Sequence, residues 1–187
     1  MCMLTREEAL ALVKKNVTKR NILYHMIAVE AIMERLAGSL GENEELWGLT
    51  GLLHDIDYEK TEGNPEKHAL LSEEILRNFD VPEEIVRAIK AHNFRYTHVK
   101  PQSTMEKALI ACDALSGLLV ACALVMPSKK LAEVKVDTVA KKFRDKSFAR
   151  GVERERILFC EEFGIPRKVF FKLALNGLKA VSSEIGL

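Results

Sequence analysis

A chain of 187 residues, close to half of them hydrophobic and with a formal charge of +1, is long enough to bury one core and short enough for one domain spanning residues 1–187. That balance excludes a disordered chain and argues against a surface that grips extended nucleic acid. The four cysteines, Cys2, Cys112, Cys122 and Cys160, form no CxxC pair and lie mostly in apolar stretches. They read as reduced core residues of a cytoplasmic protein rather than a disulfide frame or zinc knuckle.

Taken in chain order, the start and stop signals give helices. Thr5 with Glu8 is a capping box that opens a helix to about Val17, and the opening TREEALALVKK reads as that helix rather than as a signal peptide. Asn21 is the expected cap of a second helix, which carries His25 and runs to Gly38 or Gly41. The third is expected from about Asn43 to Asp57. Pro65 suits the first position of a helix carrying His68, and Pro82 opens one ending near His92. Ser103 with Glu106 is a second capping box, heading a long apolar helix that Pro127 ends. Its apolar stretch, 108–126, is nearly long enough to cross a bilayer. It carries Asp113 and Ser116 and lacks an aromatic belt, so a core helix is expected, and no membrane. Pro166 starts the last helix, expected to close near Gly186. Its Val169, Phe170, Leu173 and Leu178 could pack within the chain or in a homodimer. Strand signals are weak, the best being 133–136 with Val139. The sum is an all-α, single-domain helical bundle with longer loops at 94–103 and 127–137.

The chemistry-bearing residues sit on the apolar faces of these helices. His25 follows Ile22 and precedes Val29 and Ile32, and His68 shares a stripe with Leu71 and Ile75. His92 shares one with Ile85, Ala88 and Ile89. His54, beside Asp55, ends the run Leu46, Leu49, Leu53, and Asp113 interrupts the 108–126 stretch. Positions three, four and seven apart share a helix face, so these polar groups point into the core. A single such histidine is more often bonded to a backbone carbonyl, and Asp113 alone could be paired with an arginine. Together, six imidazoles and carboxylates without thiolates suit one or two divalent ions: Mn, Fe, Co, Ni or Zn, or Mg if few imidazoles bind. An aspartate can bridge two metals, and a two-metal centre suits displacement at phosphorus.

At these residues the chain resembles the HD-domain superfamily of metal-dependent phosphohydrolases, whose motif is a histidine, an HD doublet and a distant aspartate. The segments LLHDIDYEKTEGNPEKHA, AIKAHN, ACDALSGLLVACALVMPSKKL and KKFRDKSFARGVERERI are similar to a subgroup of small hydrolases of that superfamily. The resemblance implies that His25, His54, Asp55 and Asp113 hold a first metal. It also implies that His68 and His92 complete a second beside Asp55, with the site in the core of the bundle. Many members read HDIG followed by lysine, whereas this chain reads His54-Asp55-Ile56-Asp57 with Lys60 further on. No GYP tripeptide follows, which weighs against a cyclic-dinucleotide phosphodiesterase.

Around this set, Asp57 and Glu59 are candidate orienters or proton relays, or solvent-facing residues at a helix end. His98 is a candidate proton donor at the site mouth, or a plain surface histidine. The basic segment 141–156 offers Lys142 and Arg144 as substrate clamps, the plainer reading being a solvated helix face. The expected function is hydrolysis of a small phosphate ester, such as a nucleotide or related monoester or diester, by metal-activated water, with Asp55 and Asp57 at the reaction. Two alternatives use the same ligands: a di-iron oxygenase, and a metal-binding sensor or interaction module without catalysis. A site closed to solvent would favour the last.

Overall fold

In a computed structural model of the chain, which describes residues 3–187, Thr5 and Glu8 form their capping box and open α1 (Arg6–Asn16). The second helix, α2 (Arg20–Leu40), is capped differently from the sequence expectation. Asn21 lies inside it, and Lys19 stands at the cap without a side-chain bond. The acceptor comes from elsewhere: the Glu59 carboxylate takes the Thr18 N–H at 2.8 Å and the Lys19 N–H. A side chain remote in sequence has replaced the local cap. Gly41, at φ 74°, ends α2 in the left-handed conformation that glycine adopts without steric cost.

Asn43 caps α3 (Glu44–Leu53), which stops short of the expected Asp57. Residues 54–57 tighten into turns, with the Ile56 N–H donating to Leu53 O and the Tyr58 N–H to Asp55 O. The single turn α4 (Tyr58–Thr61) follows. Pro65 does not open the next helix. Residues 65–69 are turns, Ala69 is left-handed at φ 71°, and α5 (Leu70–Leu76) begins one residue later. Its first free N–H groups, those of Ala69 and Ser72, donate to Asp57 Oδ2 at 2.8 and 3.0 Å. His68 therefore sits on a turn rather than on a helix.

Pro82 opens α6 (Glu83–His92), and the single turn α7 (Phe94–Thr97) interrupts the expected 94–103 loop. The Ser103–Glu106 capping box opens α8 (Thr104–Leu124). Where a weak strand was read at 133–136, the chain makes a 3-10 turn (Leu131–Glu133) and enters α9 (Val136–Arg144). Val136, Val139, Ala140 and Phe143 all meet the core, a spacing of three and four that suits a helix and not a strand. Two short turns, α10 (Arg154–Ile157) and α11 (Phe159–Glu162), precede α12 (Arg167–Ala180). That last helix ends before Gly186, and the chain closes in turns.

Among the described residues all regular structure is helical, and α8 is its axis. It is long and apolar enough to cross a membrane by length and composition, with 61% of its most apolar window buried inside the protein. Helices α2, α3, α6, α9, α10, α11 and α12 all pack against it. Phe170 and Leu178 of α12 are buried in this core, while Val169 is 44% exposed. Cys112, Cys122 and Cys160 are free and buried; Cys2 lies outside the described residues.

Two glycines set how closely the helices approach. A Cβ on Gly51 of α3 would lie 2.8 Å from the Glu30 backbone of α2, and one on Gly177 of α12 would lie 2.5 Å from Ala31 O of the same helix. Both contacts are with backbone, which cannot move aside cheaply. Gly51 matters for the site because His54 follows it by one helical turn and His25 precedes Glu30 by little more than one.

Candidate metal centre

His25 comes from α2, His54 and Asp55 from the turn after α3, His68 from the turn before α5, His92 from the end of α6 and Asp113 from α8. Despite these separate origins they converge. His25 Nε2 and His54 Nε2 lie 3.2 Å apart, and His68 Nε2 and His92 Nε2 lie 3.0 Å apart. Asp55 stands between the pairs. Its Oδ2 is 3.7 Å from His25 Nε2, and its Oδ1 is 3.4 Å from both His54 and His68 and 3.6 Å from His92. Two groups result, His25–His54–Asp55 and Asp55–His68–His92, within each of which the ligand atoms lie within 4.8 Å of one another.

The ring nitrogens facing outward fix what the inner ones carry. His54 Nδ1 donates to Gly51 O at 2.7 Å, and His92 Nδ1 donates to Ile89 O. A carbonyl can only accept, so each Nδ1 bears the hydrogen. His68 Nδ1 donates to Asp57 Oδ1 at 2.8 Å. Ser116 spends its one hydroxyl hydrogen on Asp113 O at 2.8 Å, so its oxygen accepts from His25 Nδ1 at 3.1 Å. In the neutral tautomers so defined, all four Nε2 atoms present lone pairs inward. Two lone pairs about 3 Å apart repel unless a cation lies between them. Nitrogens bound to one ion at about 2.0–2.1 Å are themselves about 3 Å apart at ordinary coordination angles. The donor set therefore fits a divalent metal in each half of the site.

The electrostatics agree. Burial pushes His54 down to about 4, which keeps its ring neutral. Burial also opposes charge on His25 and His68, but the Asp113 carboxylate on the first and the Asp57 carboxylate on the second outweigh it and raise both. Burial likewise opposes charge on Asp55, yet the imidazoles around it, His54 first, hold it well below the usual carboxylate range. The carboxylates of Asp55, Asp57 and Asp113 thus create a negative potential that a proton or a metal ion can satisfy.

Asp113 is shared. Its Oδ1 meets His25 Nε2 at 3.2 Å, and its Oδ2 accepts from Arg156 Nη2 at 2.9 Å. Arg156 Nη2 also donates to His92 O at 2.9 Å, and its buried Nε has no hydrogen-bond partner among the described residues. The arginine thus bridges the aspartate of one half to the backbone of the other. A cavity of about 430 Å³ lies over the centre, lined by His25, Asp55, His68, His92, Asp113, Arg156 and neighbouring residues. The centre is open to solvent on that side, unlike a closed structural site.

The remaining candidates lie elsewhere. Asp57 is fully buried and faces His68 rather than the cavity, so the solvent-facing alternative is excluded for it. Glu59 caps α2. His98 is exposed at the end of α7, in the left-handed region at φ 59°, and does not line the cavity. Lys142 and Arg144 do not line it either. Helix α9 turns Val139 and Phe143 inward, so its basic side faces away, and Lys142 Nζ rests 4.3 Å from the Phe148 ring centroid. The cation that reaches the site is Arg156, from the end of the same basic segment. Its neighbour Arg154 shapes the approach. Arg154 is buried and donates to the carbonyls of Ala149 at 2.7 Å, Val152 at 2.9 Å, Phe148 and others, folding the 145–152 loop around itself. Ser116 and Asn93 were also missed as site residues. Asn93 Nδ2 donates to Pro65 O at 2.8 Å and His68 O at 2.9 Å, pinning the turn that carries His68.

Comparison with known proteins follows the same residues. The chain is 29% identical over 139 residues to Ribonuclease Y of Desulfotalea psychrophila, covering 73% of this chain and 26% of that protein. It is 35% identical over 102 residues to Ribonuclease Y of Acholeplasma laidlawii, covering 52% and 18%. With Ribonuclease Y of Thermotoga petrophila it shares 26% identity over 171 residues, covering 89% and 33%. The chain thus spans only about a fifth to a third of the length of these relatives. No solved structure matches it. A family profile described as the HD domain matches residues 22–118, a stretch that holds all six candidate ligands and just over half of the sequence. The chain belongs to the HD domain family.

Proposed function

We propose that this protein is a metal-dependent phosphohydrolase that cleaves a small phosphate ester, a nucleotide or related monoester or diester. The single observation that carries the reading is the pair of three-residue groups meeting at Asp55 beneath an open cavity. Divalent ions held by His25, His54, Asp55 and Asp113 on one side, and by Asp55, His68 and His92 on the other, would supply Lewis acidity and hydroxide at neutral pH. The protein's own share is orientation and charge. Four Nδ1 hydrogen bonds hold the Nε2 atoms inward. Arg156 keeps Asp113 turned toward His25, and its positive charge at the cavity wall suits the oxygens of a phosphoryl group. Similarity to proteins named Ribonuclease Y supports including phosphodiesters among the substrates.

The test is hydrolysis of a panel of nucleoside monophosphates, cyclic nucleotides, short oligonucleotides and sugar phosphates, with Mn, Fe, Co, Ni, Zn and Mg supplied in turn. It is read as phosphate release for the monoesters and as the monoester or shortened product for the diesters. Turnover should appear with at least one metal and vanish in Asp55→Ala. Arg156→Met should lower kcat/KM by about 100-fold, the scale of one lost transition-state donor. Full activity of Asp55→Ala in a metal-replete assay would reject the reading.

A further inference from the structure

A glycine inside a helix costs about 1 kcal/mol relative to alanine, so Gly117 in the middle of α8 calls for a cause. Close packing supplies none. A Cβ there would meet only Val152 Cγ2 at 3.4 Å, an ordinary contact, whereas Gly51 and Gly177 would drive theirs into backbone. Gly117 lines two recesses, a polar one of about 220 Å³ shared with Val152, Asp113, Glu153 and Arg156, and an apolar one of about 280 Å³ walled by Tyr24, Val120, Ile185 and Leu187. Asn21 and His25 line both the apolar recess and the metal cavity, so these two spaces meet at the His25 ring. Among the described residues, no aspartate, glutamate, lysine or arginine lines the apolar recess. Its Tyr24 wall is held in place by Arg20, which donates to the phenol oxygen and lies 5.4 Å from the ring centroid.

We propose that this recess receives a flat aromatic ring on the organic side of the phosphate ester, and that Gly117 sets the size of the group admitted. The inference rests on the phosphohydrolase reading, because the shared wall at His25 is what ties the recess to the phosphorus position. The volume suits a ring rather than a macromolecular segment, and Tyr24 offers a fixed planar wall for offset or edge contact. The Asn21 amide, at the junction with the metal cavity, offers a donor and an acceptor to a heteroatom on the ring edge. A phosphate with no organic group would leave the recess unused. An alkyl chain would forgo the ring contact with Tyr24.

Phosphonates test this without turnover. The dissociation constants of methylphosphonate, butylphosphonate and phenylphosphonate are measured by calorimetry on the Mn²⁺-loaded protein and on its Gly117→Ala and Gly117→Leu variants. The wild type should bind phenylphosphonate about tenfold tighter than methylphosphonate, and Gly117→Leu should reduce that ratio to near one, in line with the cost of a methylene-scale misfit. Gly117→Ala, which the 3.4 Å spacing tolerates, should fall between them and shows the trend should the leucine variant fail to fold. Equal binding of methyl- and phenylphosphonate by the wild type would overturn the proposal. So would a ring preference that survives Gly117→Leu, tighter binding of butyl- than phenylphosphonate, or no binding of any of the three. Because nothing is hydrolysed, a ring preference found in a protein that cleaves neither monoesters nor diesters would separate failure of the catalytic reading from failure of the recess.

Discussion

The Asp57 carboxylate accepts three hydrogen bonds, from His68 Nδ1, Ala69 N and Ser72 N, and so both fixes the His68 tautomer and starts α5. Replacing it with Asn keeps the shape but turns an amide hydrogen toward one of these donors. Asp57→Asn should weaken Mn²⁺ binding about 10- to 100-fold, the usual cost of losing a carboxylate behind a ligating histidine, as read by metal titration. An unchanged affinity would show that His68 is oriented by something else. The same residues set the pH response. A proton competes with a metal ion for each Nε2 lone pair. His25 and His68 are raised above the ordinary 6.5, burial notwithstanding, by Asp113 and Asp57 respectively, so they keep their protons to higher pH. Mn²⁺ affinity should therefore climb as pH rises from about 6 to 8, and a flat titration across that range would exclude these two rings as ligands.

At the scale of elements, the site is a consequence of helix spacing. Gly51 lets α3 lie against the α2 backbone, and its carbonyl also accepts from His54. Gly51→Ala should cost about 1–3 kcal/mol by overpacking and should spread His25 from His54, lowering metal affinity as well as the denaturation midpoint. A variant destabilised but with full affinity would uncouple the two. His25, His92 and Asp113 were legible in the sequence because each interrupts an apolar helical face, a pattern that owes nothing to distant contacts. His54, Asp55 and His68, which lie on turns, were legible instead through the HD-type order of residues. What was not legible depends on partners far along the chain. Glu59 caps α2 across some forty residues, Asp57 displaces the start of α5 past Pro65, and Arg154 gathers a loop by its carbonyls. Lys142 and Arg144 looked like clamps because charge is visible in sequence, whereas the turn that sends Arg156 inward instead is not. Its one local sign is the alternation Glu153-Arg154-Glu155-Arg156 ahead of Ile157, which puts the two arginines two positions apart with Glu155 between them.

For the molecule as a whole, α8 contributes Asp113 and Ser116 to the site while most of the other helices pack on it, so metal binding and global stability are linked. Saturating Mn²⁺ at about 100 times its dissociation constant adds about 2.7 kcal/mol, which for a chain of this size lifts the melting temperature by about 5–10 °C. Chelator should reverse the shift, and its absence would mean that the ion binds folded and unfolded chains alike.

The most direct measurement is the number of tightly held divalent ions per chain, determined by elemental analysis after equilibration with Mn²⁺ and removal of free metal. Two ions in the native protein, with both lost in Asp55→Ala, is the expected result, since that carboxylate stands in both groups of ligands. Native protein retaining no metal, or an alanine variant retaining both ions, would contradict the assignment.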